Sequence, residues 1–99
     1  MAYGKPLPNV PAGALSKSLF SPAHTILRES LIEARQQAGL TQTELAGRLK
    51  KPQPFISAIE RGIRRVDIVE FCAIMKALGK KPAEAFVAIE RQFPERIEI

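Results

Sequence analysis

The stretch Thr41–Gly62, TQTELAGRLKKPQPFISAIERG, decides how this chain folds. Thr41-Gln42-Thr43-Glu44 is a capping-box pattern, in which Thr41 covers a helix start and Glu44 reaches back to it. Leu45, Ala46 and Leu49 then supply one inner face. A few residues later the stretch Lys51–Gly62, KPQPFISAIERG, has helical apolar spacing but two prolines at its front. Pro54 is tolerated there because a first-turn residue has no intrahelical partner for its N–H. At about 100° per residue, Ile56 and Ile59 fall on one side of this second helix, with Phe55 and Glu60 at the margins. Gln53, Pro54, Ser57, Ala58 and Arg61 lie opposite.

That outer face is compact. A surface helix kept for solubility carries long Glu and Lys side chains instead. Short side chains let a helix backbone approach a partner closely, and Pro54 stiffens the turn that presents Gln53.

Outward from this pair, three more helices are predicted. Ser21-Pro22 reads as an N-cap followed by proline at the first helical position. Leu27, Leu31, Ala34 and Ala38 then form one face, and Gly39 ends the helix. Asp67-Ile68-Val69-Glu70 opens another helix, expected to bury Ile68, Phe71, Ile74, Met75 and Leu78 before stopping at Gly79. A last helix opens at Pro82 and presents Phe86, Ile89 and Phe93. Residues 1–20 hold three prolines and two glycines, which favour an extended N-terminal arm, with Leu15, Leu19 and Phe20 able to dock on the body. The tail ERIEI after Pro94 alternates, as a short strand or a frayed end would. The expected division is therefore an arm over 1–20, an all-α body of five helices over 21–93, and a tail over 94–99.

Composition narrows the class. Ninety-nine residues suit a single domain, and 45% hydrophobic with 25% charged residues is globular. No apolar run approaches the roughly 18 residues of a membrane span. The start MAYGKPLPNVPAG lacks a signal peptide's apolar block. The lone Cys72 forms no internal disulfide, so a reducing cytoplasm is expected, with Cys72 as an inert, half-buried thiol. One His and one Cys make no metal cluster, and no nucleophile–base pair or phosphate-cradling glycine loop is present. Neither enzyme activity nor a cofactor is expected. Net charge is +5, and it is uneven. Residues 41–66 hold six basic side chains against two acids, whereas residues 83–99 hold two against four. Such a basic centre suits a polyanion.

Helix, short turn and helix, anchored by Leu45, Leu49, Ile56 and Ile59, is the layout of a helix-turn-helix. Its second helix enters the DNA major groove while the first crosses the backbone. The longer run GLTQTELAGRLKKPQPFISAIERGIRRVDIVEFCAIMKALG resembles the XRE/Cro-repressor-type (lambda-repressor-like) family of helix-turn-helix transcriptional regulators. The likeness rests on Thr41-Gln42 before Leu45-Ala46, on Ile56-Ser57, on Glu60-Arg61-Gly62 and on Ala77-Leu78-Gly79, and it covers roughly residues 24–90.

The resemblance implies a five-helix DNA-binding domain that works as a dimer on a palindromic operator of double-stranded DNA. It places Gln53, Pro54, Ser57 and Ala58 at base-reading positions. Gln42, Lys51, Arg61, Arg64 and Arg65 fall where phosphate contacts are expected. Arg35 and Glu60 match an internal salt bridge of similar proteins. Two departures stand out. Lys50 occupies the turn where glycine is common, which calls for an unusual backbone. Pro54 and Ala58 offer bases no side-chain donor, leaving specificity to Gln53, apolar contacts and DNA shape.

The expected role is a cytoplasmic, nucleoid-associated bacterial repressor, controlled by its abundance or by a regulatory protein partner. The apolar last helix and tail are expected to form a homodimer interface. An antitoxin-like or adaptor protein-interaction module, or a transcription activator, is the alternative.

Overall fold

Ser21 starts the first helix as expected, its hydroxyl accepting from the His24 N–H at 3.2 Å, with Pro22 in the first turn. The computed structural model describes residues 21–99, and the arm expected over 1–20 lies outside the described residues. Five helices follow in order: α1 (Pro22–Gln37), α2 (Gln42–Arg48), α3 (Gln53–Glu60), α4 (Ile68–Ala77) and α5 (Pro82–Glu90). The fold is all-α, with no strand among the described residues, so the ERIEI tail forms none. No helix among them is long and apolar enough to cross a membrane.

Both capping boxes form. Thr41 accepts from the Glu44 N–H at 3.0 Å while Glu44 accepts from the Thr41 N–H at 2.9 Å. Asp67 and Glu70 repeat the exchange at the start of α4. These bonds hold the Glu44 carboxyl below its ordinary value of 4.5, the Thr41 backbone being the larger cause and its side chain the next.

Four helices end alike. After each C-cap, the next N–H bonds a carbonyl three residues back and the one beyond it a carbonyl five residues back, the two bonds of a Schellman motif. The pairs are Gly39 to Gln36 and Leu40 to Arg35, Lys50 to Gly47 and Lys51 to Ala46, Gly62 to Ile59 and Ile63 to Ala58, and Gly79 to Lys76 and Lys80 to Met75. The motif needs one residue at positive φ, and three of the four are glycines, at 74° to 76°. The fourth is Lys50, at 56°, so the turn inside the helix-turn-helix is made by a residue with a Cβ. Gly62 has a second reason to be glycine, because a Cβ there would lie 3.3 Å from Arg28 Nε.

The core lies where α1, α2, α3 and α4 converge, with Ile89 of α5 closing it. Leu45, Ala46, Ile56, Ile74 and Met75 are each at most 2% exposed. Full burial of a Leu, Ile or Met side chain is worth about 1.5–3 kcal/mol. Two expectations fail. Ile68 is 66% exposed instead of buried. It is the first residue of α4, and Cβ atoms tilt toward a helix N-terminus, so its side chain projects beyond the bundle. Ala38 is exposed because α1 has already ended there, with Ala38 as its C-cap.

Candidate nucleic-acid interface

α3 is held from one side. Ile56 and Ile59 are buried in the core, and Glu60 is only 9% exposed. Glu60 receives Arg35 side on, from Nε at 2.6 Å and Nη2 at 3.0 Å, and Arg35 Nη1 also donates to the Leu40 carbonyl at 2.8 Å. This is the ion pair the family likeness implied. The Glu60 bond, and then its charge, raise the Arg35 guanidinium above its ordinary value against the opposing cost of burial.

From Glu60 the bonding continues to the surface. Gln42 Nε2 donates to Glu60 Oε1 at 2.8 Å, and Gln53 Nε2 donates to Gln42 Oε1 at 2.7 Å. The polarity of this chain is forced. A carboxylate only accepts, so Gln42 must turn its NH₂ toward Glu60 and its oxygen toward Gln53. Gln53 must then turn its NH₂ toward Gln42, which leaves its carbonyl oxygen and one N–H for other partners. Gln42 and Gln53 are the first residues of α2 and α3, so the chain crosses both helix starts.

Pro54 is exposed, while Ser57 and Ala58 are half-buried beside it. The N-cap of α3 is Pro52, which makes no side-chain capping bond. Arg61, the C-cap of α3, is exposed at the far end of the same side.

Around the end of α3 the basic residues are arranged about an aromatic ring. Arg64 lies with its guanidinium carbon 4.5 Å from the Phe55 centroid, and Lys51 Nζ lies 5.5 Å from it. Arg64 also forms a two-bond pair with Glu70, Nη1 to Oε1 at 3.0 Å and Nη2 to Oε2 at 2.8 Å. That pair, together with the Asp67 backbone bond, holds the Glu70 carboxyl below its ordinary value. It also raises the Arg64 guanidinium above its own. Lys50 and Arg65 are exposed nearby, and Arg65 is close enough to His24 to disfavour a charge on it.

The structure thus brings Gln42 and Gln53 into direct contact, gathers Lys51 and Arg64 on Phe55, and sets Pro54, Ser57, Ala58 and Arg61 along one side of α3. The sequence places Phe55 at the margin of the inner face of α3 and Glu70 at a helix start, and does not reveal their shared hold on Arg64. The available signal was weak, an acid six residues beyond an arginine across a loop. Away from this side, α5 and the tail expose Phe86, Val87, Ile97 and Ile99, from 44% to 98%. Phe86 meets Phe71 edge to face, with centroids 6.3 Å apart.

The family model described as helix-turn-helix matches residues 31–84. Among solved structures, an XRE-family like protein from Pseudomonas syringae pv. tomato str. DC3000 is 39% identical, with a TM-score of 0.68 over 73% of this chain and 88% of that one. A mutant of the restriction-modification controller protein C.Esp1396I is 26% identical, with a TM-score of 0.64 over 69% and 91%. The clp gene regulator ClgR from Corynebacterium glutamicum is 25% identical, with a TM-score of 0.61 over 70% and 73%. No curated protein matches the chain.

Proposed function

The chain belongs to the XRE-type helix-turn-helix family of DNA-binding transcription regulators, and on that premise we propose that it is a dimeric repressor of a palindromic operator. The observation that carries this reading is the orientation imposed on Gln53. Adenine offers the major groove one acceptor, N7, and one donor, the N6 amino group. The free carbonyl and remaining N–H of Gln53 complement that pattern, and the Arg35–Glu60–Gln42 chain fixes them before DNA arrives. Pro54, Ser57 and Ala58 pass close to the base edges and supply apolar contact, including to thymine methyls. Gln42, through the amide at the start of α2, and Lys51, Arg61, Arg64 and Arg65 hold the phosphates on either side.

Repression follows from occupancy of promoter DNA in the cytoplasm, and the protein acts by binding rather than catalysis. In this reading the body over 21–93 is the DNA-binding unit, and α5 with the tail over 94–99 joins two copies. Their recognition helices would stand roughly 34 Å apart, one turn of duplex. A second reading, an adaptor that masks a protein partner, draws on the same exposed side chains of α5 and the tail. It predicts a stoichiometric protein complex and no discrete sites in a genome-wide occupancy map.

Duplex affinity across a salt series tests the proposal. With five or six phosphates neutralised, the log–log slope should be near about −5, at roughly −0.9 per phosphate. A flat slope would overturn it.

A further inference from the structure

Arg64 reaches the surface with part of its guanidinium already committed. Nη1 donates to the Arg65 carbonyl at 2.8 Å and to Glu70 Oε1 at 3.0 Å, and Nη2 donates to Glu70 Oε2 at 2.8 Å. A guanidinium has five N–H donors in a flat fork. These contacts use the Nη1/Nη2 end of the fork. The other edge, Nε–H with the second Nη2 hydrogen, is itself a two-donor fork with the spacing of two phosphate oxygens. The Arg64 side chain is 40% exposed, and none of the bonds above uses that edge.

The groups that hold Arg64 are themselves held. Glu70 Oε1 accepts from the Asp67 N–H at 3.0 Å, and the Glu70 N–H donates to Asp67 Oδ1 at 2.7 Å, which locks Glu70 to the first turn of α4. Phe55, on α3, packs against the core and lies under the guanidinium face. Arg64 is thus fixed from two helices at once.

We propose that Glu70 and Phe55 are positioning residues that present the free edge of Arg64 to a backbone phosphate of duplex DNA, so that this acid strengthens binding. The inference rests on the duplex-binding reading above. Charge alone predicts the opposite, since a carboxylate close to a polyanion repels it within a Debye length of about 8–10 Å. Pre-ordering overrides that repulsion because a fork already fixed loses little further freedom on docking.

The opposed signs make the test direct. Affinity for a short mixed-sequence duplex is measured over a salt series for the unaltered chain, Glu70→Gln, Arg64→Ala, Arg64→Lys and the Glu70→Gln/Arg64→Ala double variant. Thermal melts confirm that each is folded. Glutamine retains an oxygen for the Asp67 N–H, so the helix cap survives. Arg64→Ala should weaken binding and lower the slope by about 0.9. Glu70→Gln should weaken binding about threefold or more while Arg64 is present, and leave it unchanged or tighter once Arg64 is gone. Arg64→Lys should also lose affinity, because one ammonium cannot serve carboxylate and phosphate as a fork. Tighter binding by Glu70→Gln alone would overturn the proposal, as would an equal loss with and without Arg64. Unaltered binding by Arg64→Ala in a chain that otherwise binds duplex would overturn this assignment and leave the duplex-binding reading standing. A flat salt slope for the unaltered chain would overturn both.

Discussion

The side-chain amide of Gln53 donates to the side-chain oxygen of Gln42 at 2.7 Å, tying the first residue of α3 to the first residue of α2. If Gln53 reads a base, Gln42 sets the direction in which it reads. Gln42→Ala should therefore relax preference at the same base position as Gln53→Ala, each losing about 1–3 kcal/mol of discrimination. The double variant should lose little more than either single one. Binding to a panel of duplexes varied one base pair at a time measures this. Losses at two different positions would show that the two glutamines act separately.

Lys50 at φ 56° adopts a conformation that costs a side-chain-bearing residue about 1–2 kcal/mol. Lys50→Gly removes that strain, while the looser unfolded chain takes back about 0.5–1 kcal/mol. The net expectation is a melting temperature higher by a few degrees, read by circular dichroism. Lys50→Ala keeps the strain and should melt no higher than the original chain.

Burial first, then the charges of Arg65 and Arg28, lowers the His24 pKa from 6.5. Above that value His24 is neutral in both folded and unfolded chains. As pH falls below 6.5, the unfolded chain takes up a proton that the folded chain resists, so stability declines until the pH is below the folded value. Denaturant midpoints should fall between pH 7 and 5, and His24→Gln should flatten that slope. The capping carboxylates Glu44 and Glu70, shifted down from 4.5, add their own loss only at lower pH.

Val87 is 45% exposed on α5, and a charge there should change the folded core little. If α5 forms the proposed homodimer contact, Val87→Glu should convert the protein to monomer in analytical ultracentrifugation with helical content retained. Operator affinity should then fall through loss of the second half-site. An unchanged sedimentation profile would move the interface elsewhere.

Much of the fold was legible because its stops and starts are local. Thr41 with Glu44, Asp67 with Glu70, and glycines 39, 62 and 79 each act within a few residues, and a single pattern specifies each of them. Ile68 misled because periodicity gives an angle around the helix and not whether a neighbour is present at that height. The Arg35–Glu60 pair, 25 residues apart, became legible only through family likeness. The Gln42–Gln53 bond and the Arg64–Phe55–Glu70 cluster were not legible at all. Both depend on how side chains from separate helices meet across a turn, and residue spacing leaves that undetermined.

The grip on α3 comes from Phe55, Ile56, Ile59 and Glu60, with Gln53 tied to Gln42, and positions 54, 57 and 58 make no side-chain hydrogen bond among the described residues. Pro54 is exposed and Ser57 and Ala58 are half-buried, so exchanges among small side chains at these three sites leave the packed face of α3 in place. If these positions read bases as proposed, a descendant gene could acquire a new set of targets through a few codon changes, with its architecture inherited.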